Sequence, residues 1–217
     1  MCPNGNADLT RSLIINSAVQ IISQSGLSAL TAGKLIDHAG ISKGGLYHHF
    51  RTMQEVEIEV LERILQNLTL EVHSYPDPTT HAEFLDQIEQ MLFDHLLQNS
   101  EYSRALFAFM SEAANNPKVK VLLRNLSDDF VLNWQRQLSA LNPGASVASL
   151  HNTAQIISTI HIGLTSRFFL TEDQTCLKLY WRGCRGILSD LLGIAHVHSY
   201  DEQPENSVPK LVPANVN

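Results

Sequence analysis

The segment from Thr31 to Phe50 contains residues whose types and spacing suit contact with a nucleic acid. Gly40 can take the left-handed conformation that ends a helix, and Ser42 is a preferred N-cap for a following helix. Two short helices are then separated by three residues, as in a helix-turn-helix. The outward face of the second helix is small, polar and partly basic, as a major-groove reader requires, and it comprises Lys43, Gly44, Gly45, Tyr47 and His48.

These two short helices cannot stand alone, so longer elements must hold them. A helix over about residues 10–25 is predicted, because apolar residues recur there at helical spacing. Helical periodicity dominates the rest of the chain and predicts an all-α fold. We expect the later helices at about residues 53–73, 80–99, 102–114, 117–141, 146–170 and 173–193, followed by a disordered tail over residues 196–217.

Charge is distributed unevenly along the 217 residues. A formal charge of -7 excludes a uniformly basic protein that coats nucleic acid. Residues 10–54 nevertheless hold the four bases Arg11, Lys34, Lys43 and Arg51 against the single acid Asp37, which gives this segment a charge of +3. Contact with nucleic acid is therefore expected in this segment.

The run from Ala39 to Gly44 and the run Leu46-Tyr47-His48-His49-Phe50 closely resemble the TetR family of bacterial transcriptional repressors. The resemblance covers about residues 11–56. It implies an N-terminal three-helix DNA-binding domain, here residues 10–52, and a C-terminal helical ligand-binding and dimerisation domain, here residues 53–195. It also implies a homodimer that binds a palindromic operator in double-stranded DNA, and we expect a small-molecule effector to release it. A cytoplasmic location is expected because neither a secretory signal nor a membrane-spanning run is found in the sequence.

The resemblance also implies roles for single residues. Thr31 would cap the second helix and touch a phosphate. Apart from the resemblance, we expect the basic Arg51 to contact the DNA backbone. Ser42, Lys43 and Gly44 would open the recognition helix, Gly45 would take a position often held by Thr, Ser or Ala, and Tyr47 and His48 would contact backbone or bases. Two positions depart from the family pattern, because Met53 stands where Lys is usual and Gly33 where a charged residue is common.

In the C-terminal half, the resemblance implies an effector cavity walled by apolar side chains, with candidates Phe107, Met110, Trp134, His161 and Phe168. Arg167, Gln135 and Asn133 are further polar candidates, although all of these residues could equally serve the core of a helical domain. The last two helices carry more apolar surface than one small domain easily hides. We therefore expect a dimer interface that includes Ile160, Leu164, Trp181 and Leu188.

Other classes of protein find little support in the sequence. No apolar run is long enough to cross a membrane, and the first ten residues do not resemble a secretory signal. The three cysteines are expected to be free thiols, and the histidines show no metal-ligand spacing, so we expect no catalytic group, metal or cofactor. A helical protein-interaction module that has lost specific DNA binding is the alternative, and the departures at Gly33 and Met53 leave it open.

Overall fold

The computed structural model describes residues 4–98 and 100–193. Within these ranges the chain forms nine α-helices, with no β-strand among them, so the all-α prediction is confirmed. A 3-10 turn at Leu27–Ala29 follows the first helix, and a π-helical turn at Asp94–Gln98 follows the fifth. The helices are α1 (Asn4–Ser25), α2 (Ala32–Ala39), α3 (Lys43–His49), α4 (Met53–Ser74), α5 (His81–Phe93), α6 (Ser100–Glu112), α7 (Pro117–Leu141), α8 (Val147–Thr171) and α9 (Gln174–Leu191).

Most predicted helix limits agree with the observed ones to within two residues, and two differ more. The first helix begins at Asn4 rather than at residue 10, because polar residues there continue the helix without extending its apolar pattern. The helix predicted over residues 80–99 is regular only as far as Phe93 and then widens into the π-helical turn. The predicted tail over residues 196–217 lies outside the described residues.

Polar N-caps explain where several helices begin. At each of them, a side-chain oxygen accepts a hydrogen bond from a backbone amide of the first turn, which satisfies a donor that has no partner within the helix. The caps of α2, α3, α4, α5, α7, α8 and α9 are respectively Thr31, Ser42, Thr52, Thr80, Asn116, Ser146 and Asp173.

Helix α1 joins the N-terminal helices to the rest of the molecule. It packs against α2 and α4, and also along α6. Six of its apolar residues are almost completely buried: Ile14, Ile15, Ala18, Val19, Ile21 and Ile22. The apolar surface of α1 is therefore shared between two groups of neighbours.

The remaining helices form a bundle behind α4 and α6. Helix α7 packs against α4 and α8, α8 packs against α9, and α5 contacts both α7 and α9. Among the residues described, no helix combines the length and the apolar character needed to span a lipid bilayer.

Helices α1, α2 and α3 form the N-terminal unit, and two aromatic residues near its end provide a matched test of how it packs. Phe50 is 2% exposed and Tyr47 is 43% exposed. We expect Phe50→Ala to lower the free energy of unfolding by about 3 to 5 kcal/mol, because it leaves a cavity in the core. Tyr47→Ala should change it by less than about 1 kcal/mol. Urea denaturation followed by circular dichroism measures both, and equal losses would contradict the burial described here.

Candidate functional site

The turn between α2 and α3 depends on Gly40. Its φ of 64° lies in the left-handed region, which glycine adopts at little cost because it has no Cβ. The backbone amides of Gly40 and Ile41 both donate to the carbonyl of Ile36. These bonds close the end of α2 in the manner of a Schellman motif. Helix α3 can then begin after three intervening residues.

Ser42 sets the start of α3. Its Oγ accepts a hydrogen bond from the backbone amide of Gly45 at 3.0 Å, which confirms the predicted cap. A Cβ added at Gly45 would lie 3.3 Å from the same oxygen, closer than most such contacts. The cap therefore favours a small residue at this position.

One side of α3 is buried and the other faces solvent. Leu46 is 1% exposed and packs into the core. Lys43, Gly44, Tyr47 and His48 are exposed. Together with the half-buried Gly45, these four residues form the surface that we call the reading face. The structure thus places on one short helix the residues that the sequence singled out for base and backbone contact.

Polar residues flank the reading face on both sides in the sequence. The Thr31 hydroxyl accepts a bond from the amide of Lys34 at 3.3 Å, so its predicted cap is confirmed. The ammonium group of Lys34 donates to the Ser25 hydroxyl at 3.1 Å. Arg51 is exposed beyond the end of α3, and its backbone amide donates to the Glu55 carboxylate at 2.7 Å.

Arg11 has an internal role that the sequence did not reveal. Its Nε donates to Glu59 Oε1 on α4 at 2.6 Å, and a second guanidinium nitrogen pairs with the other carboxylate oxygen. The guanidinium also lies 4.4 Å from the ring centre of Phe50 and donates to the carbonyl of His49 at 3.1 Å. Arg11 therefore joins α1, the end of α3 and α4, and its charge is balanced within the protein.

A cavity of about 320 Å³ lies between α4, α6, α7 and α8. Its wall is mostly apolar, with a few hydroxyl and imidazole groups and one guanidinium group, as is typical of small-molecule sites. The lining residues are Leu68, His95, Ser103, Leu106, Phe107, Met110, Ala113, Leu123, Arg124, Leu126, Ser127, Phe130, Trp134, Ser158, His161, Ile162 and Thr165.

Four of the five predicted effector residues line this cavity: Phe107, Met110, Trp134 and His161. Phe168 does not, so its placement in the cavity is corrected. It is 6% exposed and belongs to the hydrophobic core, where its ring centre lies 6.1 Å from that of Phe169. The polar candidates Asn133, Gln135 and Arg167 also lie outside the lining. They bond instead to Arg136, His151 and Tyr180 respectively.

Two histidines meet at the cavity, although no sequence pattern indicates that they are close. The rings of His95 and His161 are edge to face with centres 6.0 Å apart. His95 Nε2 lies 3.2 Å from the Glu71 carboxylate, without the angles of a hydrogen bond. Burial lowers the pKa of His95, although Glu71 opposes this effect. Burial, reinforced by His95, lowers the pKa of His161 to about 3, so that its imidazole is neutral near pH 7.

Comparison with known proteins agrees with this geometry. The family model described as "Bacterial regulatory proteins, tetR family" matches residues 14–60, which span α2, α3 and parts of α1 and α4. The transcriptional regulator UidR of Escherichia coli K12 is 30% identical over 193 residues, which cover 86% of this chain and 94% of that protein. The chain belongs to the tetR family.

Solved structures share the fold of this tetR-family chain. A transcriptional regulator from Rhodococcus superposes with a TM-score of 0.70 at 18% identity, over 83% of this chain and 96% of the other. A regulator from Saccharomonospora viridis, solved in complex with choline, gives a TM-score of 0.66 at 15% identity, over 84% and 96%. The arrangement of an N-terminal helix-turn-helix unit and a helical C-terminal domain is thus common to these chains.

The residues predicted for a dimer interface of this tetR-family chain mostly face inward. Leu164, Trp181 and Leu188 are at most 7% exposed and belong to the core of one chain. Their prediction as contacts with a second chain is therefore corrected, because their apolar surface is already covered. Ile160 is half-buried. The large apolar residues that α8 and α9 do expose are Val147, Ile156, Ile162, Leu170, Leu179, Ile187 and Leu191.

The low pKa of His161 leads to a testable dependence of stability on pH. The unfolded chain protonates this histidine near pH 6.5, whereas the folded chain resists protonation down to about pH 3. Its contribution to stability is therefore complete above pH 6.5 and is lost as the pH falls. When the pH is lowered from 7 to 5, protonation of His161 in the unfolded chain lowers the free energy of unfolding of the original protein. His161→Phe lacks this contribution, so we expect its decrease to be smaller by roughly 2 kcal/mol.

The exposed His151 on the same helix provides the control. His151→Phe should keep the pH dependence of the original protein, as measured by urea denaturation at each pH. Identical pH dependence in both variants would contradict the low pKa of His161.

Proposed function

We propose that this tetR-family regulator is a repressor that binds a palindromic operator as a dimer and releases it when a small molecule occupies the cavity. The observation that carries the proposal is the reading face, where exposed polar residues lie on a short helix that is capped by Ser42 and anchored through Leu46. A helix presented in this way can enter a major groove. The activity takes place in the cytoplasm, where such an operator is accessible.

In this proposal, the reading face and the polar residues that flank it have different roles. Lys43 contacts a guanine or a phosphate, with Tyr47 and His48 beside it at base edges or backbone. Thr31 and Arg51 contact phosphates and so fix the orientation of the protein on the duplex. Because Arg11 is neutralised by Glu59, it adds no contact of its own. The positively charged side chains left for DNA in this region are Lys34, Lys43 and Arg51.

The proposed dimer uses the outward faces of α8 and α9. Ile187 and Leu179 are 64% and 56% exposed and lie two turns apart on α9. A Cβ added at Gly163 or Gly183 would meet no atom within 4 Å in the single chain, so these glycines allow a second helix to approach closely. Packing of this surface against its copy would place two reading faces on one DNA duplex.

Two helices connect the cavity to the helices that carry the reading face. Helix α6 supplies Leu106, Phe107 and Met110 to the cavity wall and packs along α1 of the N-terminal unit. Helix α4 supplies Leu68 and begins shortly after α3. A ligand that favours one placement of these helices changes the separation of the two reading faces. By linkage, it lowers DNA affinity by the factor by which DNA lowers ligand affinity. The choline-bound neighbour supports small-molecule binding in this fold.

Lys43→Ala tests the assignment of the reading face. We expect it to weaken binding to an operator fragment by about 1 to 3 kcal/mol, as measured by fluorescence anisotropy, with the thermal stability unchanged. Lys118→Ala, at an exposed position on α7, is the control and should bind as the original protein does.

Binding of the original protein to the operator should also weaken as the salt concentration rises. A plot of the logarithm of the binding constant against the logarithm of the salt concentration should fall with a slope of about 0.9 for each phosphate neutralised. A slope near zero would favour an interaction module that has lost DNA binding.

The dimer surface has its own test. Ile187→Glu places a charge in the proposed interface and should shift the molecular mass from that of a dimer to that of a monomer at micromolar concentration, as measured by light scattering. Leu70→Glu is the matched control, because Leu70 is 63% exposed but lies on α4. A monomeric original protein, or loss of the dimer in Leu70→Glu alone, would contradict this interface.

A further inference from the structure

The cavity has an open end and a closed end that differ in chemistry. Met110, Arg124 and Ile162 are exposed members of its lining, so they lie where it meets solvent. Trp134 and Ser158 are buried members, and they mark the closed end together with His95. A molecule that fills the cavity therefore buries one end completely and keeps the other near water.

His161 gives the closed end its hydrogen-bonding character. Its ring centre lies 6.3 Å from that of Trp134, and its Nε2 atom is covered by protein without a partner among the described residues. A buried polar atom without a partner is rare in native proteins and often marks a site completed by a ligand or a water. Because the ring lines the cavity, rotation about its Cβ–Cγ bond can bring a ring nitrogen to a group that enters.

The closed end offers no full charge to a ligand. The described lining contains no Asp or Glu, and Glu71, whose carboxylate lies 3.2 Å from His95, is not part of it. A charged ligand group at this end would lose its hydration without gaining a counter-ion, which is unfavourable. The single formally charged side chain of the lining, Arg124, lies at the open end, where water screens it. A neutral imidazole can still donate one hydrogen bond and accept another.

We propose that the cavity binds an uncharged aromatic or alicyclic molecule that carries a hydroxyl or carbonyl group, and that this group bonds to His161 at the closed end. The ring system then lies against Phe107, Phe130 and Trp134. The volume of about 320 Å³ suits a molecule of one or two fused rings. The inference rests on the proposed function only in taking this molecule to be the effector.

Three probes with one ring system and different polar groups test the proposal: 2-naphthol, naphthalene and naphthalene-2-sulfonate. Binding to the full-length protein without DNA is followed by tryptophan fluorescence, since Trp134 lines the cavity. We expect 2-naphthol to bind about tenfold more tightly than naphthalene, because of its hydroxyl group, and also more tightly than the sulfonate. Equal or tighter binding of the sulfonate, or no binding of any probe, would overturn the proposal.

Variants test whether the preference for 2-naphthol over naphthalene depends on His161. His161→Phe should lose the preference for 2-naphthol over naphthalene, and naphthalene binding measured in the same variant shows whether the cavity is intact. His161→Gln retains hydrogen-bonding groups and should restore part of that preference. His151→Phe, outside the cavity on the same helix, should leave it unchanged. A preference for 2-naphthol that survives in His161→Phe, with naphthalene binding intact, would overturn the assignment.

Operator binding measured on the same preparation without a probe separates this inference from the proposed function. Salt-dependent binding to DNA together with no preference for 2-naphthol would overturn the ligand class and leave the regulator intact. A preference for 2-naphthol in a protein that binds no DNA would support the ligand class and contradict the repressor.

Discussion

The apolar surface of α1 must be covered on two sides at once, and the rest of the structure depends on this constraint. The six buried apolar residues of α1 span an arc of about 160° at 100° per residue, which is wider than one neighbouring helix covers. Helices α2 and α4 cover part of it, and α6 also packs along it. The N-terminal unit therefore cannot pack fully without the helix that carries Phe107 and Met110 into the cavity. A shift of α6 therefore changes its packing against α1.

Arg11 adds a polar connection to this apolar one. It joins α1 to Glu59 on α4 and lies over the ring of Phe50 at the end of α3. A part-buried, two-pronged pair of this kind holds its partners in one geometry. The reading face is thus fixed relative to α4, and movement of α4 carries it along. In the proposed mechanism, contacts on α1 and α4 together let a ligand in the cavity reposition the three N-terminal helices.

The helix-turn-helix could be predicted from the sequence because its determinants are local. Gly40 ends one helix, Ser42 caps the next, and the spacing of Leu46 and Phe50 fixes which side of α3 is buried. Each of these features acts within a few residues, so the sequence alone displays it. The role of Arg11 was hidden because its partner, Glu59, is 48 residues away.

The cavity and the outer surface of the bundle could be predicted only in part. Periodicity does not distinguish an aromatic residue that faces the cavity from one that faces the core. Both Phe107 and Phe168 were therefore predicted for the cavity, whereas Phe107 lines it and Phe168 lies in the core. The same ambiguity affected Trp181 and Leu188, which are large and apolar as interface residues are, yet fill the core of their own chain. The proximity of His95 and His161 arises from tertiary packing between distant segments.

Operator binding by a dimer is tested most directly by sequencing the genomic fragments that the purified protein retains at near-physiological salt. We expect enrichment of an inverted repeat whose half-sites lie about one helical turn apart, or a multiple of it, since two reading faces must enter the same side of the duplex. Recovery of no enriched sequence, from protein shown by denaturing mass spectrometry to hold no small molecule, would contradict operator binding by a dimer.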